Sequence, residues 1–120
     1  MIIECDHISV LVSDLVKSSA FYEDVLGLSR LLRPDLGFDG VWLSLGKTQA
    51  LHLLKLSNPE SDIVRPVHAG RDRHIAFRVS DMNDAKARLS QAGIHFTLSQ
   101  SGRNSIFCRD PDGNGIELLV

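Results

Sequence analysis

Three features of the chain predict an α+β fold made of two tandem β-α-β-β-β units. The first is an internal repeat. Asp6-His7-Ile8-Ser9-Val10-Leu11-Val12-Ser13-Asp14 returns 67 residues later as Arg73-His74-Ile75-Ala76-Phe77-Arg78-Val79-Ser80-Asp81, with His, Ile, Val, Ser and Asp kept in place. Downstream the order persists: Leu26-Gly27-Leu28 answers Ala92-Gly93-Ile94 at an offset of 66, and Trp42 with His52 answers Phe107 with Glu117 at 65. A duplicated unit constrains a fold more than any single motif does. The second feature is patterning: each copy opens on an apolar, β-branched run, continues with residues at helical spacing and ends in further short apolar runs divided by turn residues. The third is size, since 120 residues make one domain with its own core. The expected limits within residues 1–120 are a first unit over 1–56, a linker over 57–72 and a second unit over 73–120.

The elements follow in order. Ile2 to Val12 reads as a strand, with His7, Ser9 and Leu11 on one face and Ile8, Val10 and Val12 on the other. Both faces are mostly apolar, so a buried strand is expected. Asp14 stands where a helix N-cap belongs, and Leu15, Ser18/Ser19, Tyr22 and Val25/Leu26 recur at helical spacing for about three turns until Gly27. Strands are expected near Leu28 to Arg33, Val41 to Leu45 and Ala50 to Leu56, with a loop over Pro34 to Gly40 and a turn at Gly46-Lys47. In the second copy a strand over His74 to Ser80 leads to a helix capped by Asp81, with Asp84 in its first turn and Gly93 at its end. Strands near Ile94 to Leu98, Ser105 to Arg109 and Ile116 to Val120 complete it, the last two joined by the turn residues Asp110-Pro111-Asp112-Gly113. The linker, with two prolines, a glycine and several charges, is expected to run over the surface.

Composition narrows the function classes. Thirteen Lys and Arg against fifteen Asp and Glu give a formal charge of −2 and no basic block, so no footprint for nucleic acid is visible. No apolar run approaches the roughly 20 residues of a bilayer helix, and Met1-Ile2-Ile3-Glu4 lacks the features of a signal peptide. A cytoplasmic location, a small-molecule partner and free thiols at Cys5 and Cys108 are the expectations.

The repeat also places polar residues inside apolar strands. His7 and His74 share one position of the first strand of each unit, and His52 and Glu117 share one position of the fourth. Taken singly, a strand histidine is an ordinary half-buried residue and Glu117 an edge carboxylate facing water. Taken together, units facing each other about a pseudo-twofold axis would assemble three histidines and one carboxylate, and a buried carboxylate calls for a paired cation. Such a set suits a divalent ion, Zn, Ni, Mn, Fe or Co, and leaves positions for water or substrate. His68 and His95, in the linker and at a strand start, read as solvated. By strand parity Ser9, Trp42, Ser44, Ser105, Phe107 and Arg109 are the substrate-side candidates. Arg109 reads equally as a holder of a carboxylate or phosphonate and as a solvated strand end, and Arg71 and Arg73 are similarly open.

The chain resembles the vicinal oxygen chelate superfamily, which includes glyoxalase I, fosfomycin- and bleomycin-resistance proteins, methylmalonyl-CoA epimerase and extradiol dioxygenases. Asp6-His7, Val12-Ser13-Asp14-Leu15, Ser18, Phe21-Tyr22 and Val25-Leu26-Gly27 look like its opening motif, and Asp110-Pro111-Asp112-Gly113-Asn114 with Glu117 looks like its closing one. Ser99 to Phe107 loosely resembles the segment before the closing motif of fosfomycin-resistance thiol transferases. The resemblance implies paired modules forming a cupped, barrel-like mixed sheet, a homodimer, and a divalent metal on His7, His74, Glu117 and, at the fourth position, His52. It further implies a metal-dependent lyase, isomerase or thiol transferase that chelates adjacent substrate oxygens, with Glu117 or a displaced ligand near it as the proton-transferring base. The alternative class is a metal-free binding protein that sequesters its ligand, as bleomycin-resistance proteins do.

Overall fold

The computed structural model describes all residues 1–120. The chain divides into two compact units, Met1–Ser61 and Asp62–Val120. In the first, β1 (His7–Leu11), α1 (Leu15–Ser19), β2 (Arg30–Leu31), β3 (Gly40–Leu45) and β4 (Gln49–Leu54) follow one another. In the second the same order is β5 (His74–Arg78), α2 (Met82–Gln91), β6 (Thr97–Leu98), β7 (Ser105–Arg109) and β8 (Gly115–Leu119). Each unit holds a four-stranded mixed sheet, β1-β4-β3-β2 and β5-β8-β7-β6. In both, the first strand runs parallel to the fourth and the other neighbours are antiparallel. The duplication holds down to the register. Trp42 lies opposite His52 as Phe107 lies opposite Glu117, and His7 pairs with Ala50 as His74 pairs with Gly115.

Alternation along the strands separates a packing face from a site face. Val41, Leu43, Leu51 and Leu53 of the first unit are buried with Phe21 and Tyr22, whereas Trp42, Ser44 and His52 point to the opposite side. In the second unit Ile106, Cys108, Ile116 and Leu118 are buried together with Met82, Ala85 and Leu89 of α2. Both helices start as their sequences predict. The Asp14 carboxylate accepts from the backbone N–H of Val16 and Lys17, and Asp81 accepts from Asn83 and Asp84, satisfying donors that a helix start leaves unpaired. Gly27 and Gly93 end the helical runs with φ of 79° and 69°, a conformation glycine adopts at little cost.

Several expectations need correction. The first helix is not a uniform α-helix: beyond Ser19 it widens into a π-helical stretch, Ala20–Val25, with Leu26 N–H donating to the Phe21 carbonyl at 3.0 Å. The adjacent Phe21 and Tyr22 are both buried and meet edge to face at 4.8 Å. The opening strand begins at His7, in register with Ala50 near the start of β4, and Met1, Ile2 and Ile3 are exposed. Nor is β1 buried on both faces; it lies at one edge of its sheet, as β5 does in the second unit, with His7 and Ser9 on an exposed face like His74 and Ala76. The strands expected near Leu28 to Arg33 and Ile94 to Leu98 shrink to the two residues that find antiparallel partners. The linker closes in an ordered 3-10 turn, Ala69–Arg71, with Ala69 buried. No helix is long and apolar enough to cross a membrane.

Candidate metal and substrate site

In the first unit β1, β4 and β3 set three rings in a row. His7 stacks on His52 with centroids 4.3 Å apart, and Trp42 stacks on the other side of His52 at 4.3 Å and 8°. The row follows from the cross-strand position of Trp42 and His52 on neighbouring β-strands. His7 Nδ1 meets the Asp6 carboxylate at 2.7 Å, so in the neutral ring the Nε2 lone pair is the free donor. Burial, and secondarily the neighbouring His7, holds the His52 imidazole below the usual histidine range, against a smaller opposing pull from Asp6. A neutral imidazole is the metal-binding form.

The second unit replaces the ring pair with an imidazole and a carboxylate. His74 Nδ1 lies 2.8 Å from the Asp72 carbonyl oxygen, an acceptor only, so Nδ1 carries the proton and donates it. Nε2 then faces Glu117 Oε2 across 3.4 Å, and the Glu117 side chain is only 7% exposed. With the ring neutral, two lone-pair atoms meet there, an arrangement that a shared cation satisfies. Phe107 walls the pair, its ring edge-on to His74 at 5.3 Å and to His68 at 4.8 Å.

These side chains open on a cavity of about 350 Å³ lined by His68, Arg71, His74, Ser99, Arg103, Phe107 and Glu117, among others. His68 was expected in solvent; instead it is half-buried, with Nδ1 2.6 Å from Thr97 Oγ1. The signal in the sequence is the small pair Ala69-Gly70 behind it, which lets the chain turn tightly. A β-carbon on Gly70 would lie 2.6 Å from His68 Nε2, so glycine makes the room this ring occupies. His95 is exposed ahead of β6, in line with its solvated reading.

The remaining candidates scatter. Ser9 is exposed on β1 in register with His52, and Ser44 Oγ turns to the Gly46 carbonyl at 3.2 Å. Ser105 is 4% exposed, and neither its Oγ nor Trp42 Nε1 has a hydrogen-bond partner. Arg109 is occupied elsewhere: it donates to Asp72 at 2.9 Å and to the carbonyls of Gly113 and Pro66 at 2.8 and 2.6 Å. Asp72 thus anchors the end of the linker, gathering Arg65 and Arg109 while its carbonyl orients His74. Burial raises the Asp72 carboxyl, but the Arg73 N–H and the Arg109 and Arg65 guanidiniums outweigh it and leave the group below its ordinary value. Cys108 is buried and Cys5 exposed, and both thiols are free. Burial, with the nearby Asp110, pushes the Cys108 thiol up to about 12 and makes it unreactive.

Within either unit no group of three His, Cys, Asp or Glu side chains is gathered for a metal. The donor chemistry nevertheless fits one. Histidines with Nδ1 tied and Nε2 free, together with a buried carboxylate, are ligands of divalent zinc, nickel, iron, manganese and cobalt.

Comparison with known proteins agrees with this architecture. Residues 4–118 match the model of the Glyoxalase/Bleomycin resistance protein/Dioxygenase superfamily. "Glyoxylase I 4" of Arabidopsis thaliana is 34% identical over 94% of this chain and 68% of its own length. "Metallothiol transferase FosB" of Lysinibacillus sphaericus is 31% identical over 93% of this chain and 78% of its own. Among solved structures, TnmS3, an antibiotic binding protein from Streptomyces sp. CB03234, superposes with a TM-score of 0.74 at 26% identity, covering 98% of this chain and 94% of that one. With the repeated register, the tied histidines and these matches in view, the chain belongs to the Glyoxalase/Bleomycin resistance protein/Dioxygenase superfamily.

Proposed function

We propose that the protein is a divalent-metal-dependent enzyme of the glyoxalase-like class, a lyase, isomerase or thiol transferase acting on a small substrate with adjacent oxygens. The observation that carries this reading is the His74–Glu117 pair: a proton-bearing Nδ1 fixed by a backbone carbonyl, and a free Nε2 aimed at a buried carboxylate. The ligands in this reading are His7, His52, His74 and Glu117, and the ion is Zn, Ni, Mn, Fe or Co. When bound, the metal supplies Lewis-acid stabilisation of negative charge on the substrate's oxygens.

The chain's own residues do the rest. Glu117 accepts a proton from the substrate and returns it, its burial keeping water from competing for the carboxylate. Phe107 forms the apolar wall beside that carboxylate, and Trp42 holds the His52 ring flat by stacking. Asp72 and Asp6 act on His74 and His7 through their Nδ1 hydrogen bonds, fixing which nitrogen is free. Ser9 is the exposed hydroxyl offered to the substrate, whereas Ser105 is buried; Arg109 supports the loop around Asp72.

The likeness to an antibiotic binding protein and the flat Trp42–His52–His7 stack support a second reading, a ligand-sequestering protein that needs no metal. One experiment separates the two. The chain is stripped with chelator, reloaded in turn with Ni, Zn, Mn, Fe and Co, and assayed with hemithioacetal and thiol-transfer substrates. Turnover restored by at least one metal and abolished in Glu117→Gln supports the enzyme. Absence of metal uptake by the native chain sinks it and leaves the binding protein.

A further inference from the structure

We propose that Arg109 is a positioning residue for His74: acting through Asp72, it selects the imidazole tautomer that leaves Nε2 free as a ligand atom. The inference rests on the preceding reading only for what His74 does with that nitrogen.

Three segments of the second unit meet at one guanidinium. From the end of β7, Arg109 Nη1 donates to the Asp72 carboxylate at 2.9 Å and to the Gly113 carbonyl at 2.8 Å, and Nη2 donates to the Pro66 carbonyl at 2.6 Å. It therefore joins the linker, the residues leading into β5 and the turn leading into β8. The Asp72 and Arg109 side chains are only 13% and 22% exposed, so the pair is largely shielded from bulk water, where charge-assisted bonds fix geometry well. Arg65 adds a second guanidinium to the same carboxylate at 3.2 Å.

Each partner of Arg109 is itself fixed. Asp72 Oδ1 accepts from the Arg73 N–H at 2.8 Å, which ties the carboxylate to its own backbone and so sets where the Asp72 carbonyl points. That carbonyl takes the His74 Nδ1 proton at 2.8 Å. Gly113 lies in a turn held by Asp110, whose carboxylate accepts from the N–H groups of Asp112 and Asn114 and from the Asn114 amide. Past the turn, Gly115 pairs with His74, and a β-carbon on Gly115 would lie 2.6 Å from the Arg73 carbonyl oxygen and 3.0 Å from His74 Cβ. Glycine thus lets the start of β5 close on β8, the strand that carries Glu117. Without a fixed acceptor at Nδ1, a neutral imidazole populates both tautomers, and the second one turns Nε2 from a lone pair into a donor aimed at Glu117. Arg109, expected from strand parity to face substrate, instead spends its donors on keeping that second tautomer out.

The test reads the His74 tautomer in the metal-free full chain, by long-range proton–nitrogen NMR of the imidazoles in mildly alkaline buffer, and then nickel affinity by titration. The native chain should show a single His74 tautomer with Nδ1 protonated. Arg109→Gln should show the Nε2-protonated form beside it and bind nickel about tenfold or more weakly. Arg109→Lys, which keeps a charge opposite Asp72, should recover part of both. Arg65→Gln, which removes the longer of the two contacts to Asp72, should shift the tautomer in the same direction by less. Arg88→Gln, whose partner is Asp84 on α2, should leave both readouts at the native level. A single native tautomer in folded Arg109→Gln, or an equal disturbance in Arg88→Gln, would overturn the proposal. Should Arg109→Gln not fold, a native tautomer in Arg65→Gln overturns it instead. Absence of nickel uptake by the native chain would remove the metal reading alone, because the tautomer comparison is made without metal.

Discussion

The two units share one topology and one register, yet they have diverged at the same addresses. The position opposite β3 or β7 in the last strand is His52 in the first unit and Glu117 in the second, and its cross-strand neighbour is Trp42 in one and Phe107 in the other. The first unit consequently presents three stacked rings, and the second an acid beside an imidazole in a cationic cavity. Their clefts differ as well. The larger groove of the first unit, about 660 Å³, is lined by Val16, Glu23, Arg30, Asp39 and Val41 and lies on the helix side, where Val41 points, rather than beside His7 and His52. The comparison teaches that duplication conserves where side chains go and leaves free what they are. Packing is symmetric, and chemistry is not.

If packing is symmetric, equivalent truncations should cost the same. Leu51 and Ile116 occupy matching positions and are both fully buried. Leu51→Ala and Ile116→Ala should each lose about 2–5 kcal/mol in urea unfolding, and a large inequality would break the equivalence. Gly70→Ala has no counterpart in the first unit. The added methyl would strike His68 Nε2, so a cost of about 1–3 kcal/mol is expected, together with displacement of the His68 ring signals, and an unshifted ring would contradict the placement of His68. The caps return to symmetry: Asp14→Ala and Asp81→Ala should each cost about 1 kcal/mol, read by thermal unfolding.

The smallest effect is in pH dependence. The folded His52 pKa lies below its ordinary value of about 6.5, chiefly through burial. The unfolded chain therefore takes up the proton first, and the stability this histidine contributes is whole above the ordinary value. It falls as the pH drops from there through the depressed folded value. His52→Gln should flatten that acid limb in urea titrations of the metal-free chain, and an unchanged limb would show that His52 is not the group responsible.

Much of this was legible in the residues. The matched Asp-His-Ile and Val-Ser-Asp segments announce the duplication, and Asp14, Asp81, Gly27 and Gly93 mark both helices because capping is local chemistry. The pairing of Trp42 with His52 and of Phe107 with Glu117 follows from one shared offset. Strand ends were less legible, since β2 and β6 extend only as far as their partners, a tertiary condition. Parity also assigns a face but not a reach. Arg109 shares parity with Phe107, yet its long side chain swings to Asp72 and two loop carbonyls. His68 went unrecognised because a single 3-10 turn has no periodicity to betray it, and its neighbour Thr97 lies 29 residues away.

The central proposal is that the chain binds a divalent metal ion and needs its strand histidines and Glu117 to do so. Its most direct test is bound metal per chain, by elemental analysis after reloading and dialysis, in the native protein, in His7→Ala and in Glu117→Gln. One equivalent in the native chain, lost from each single variant, is the predicted result. Full retention of metal by either variant would contradict it.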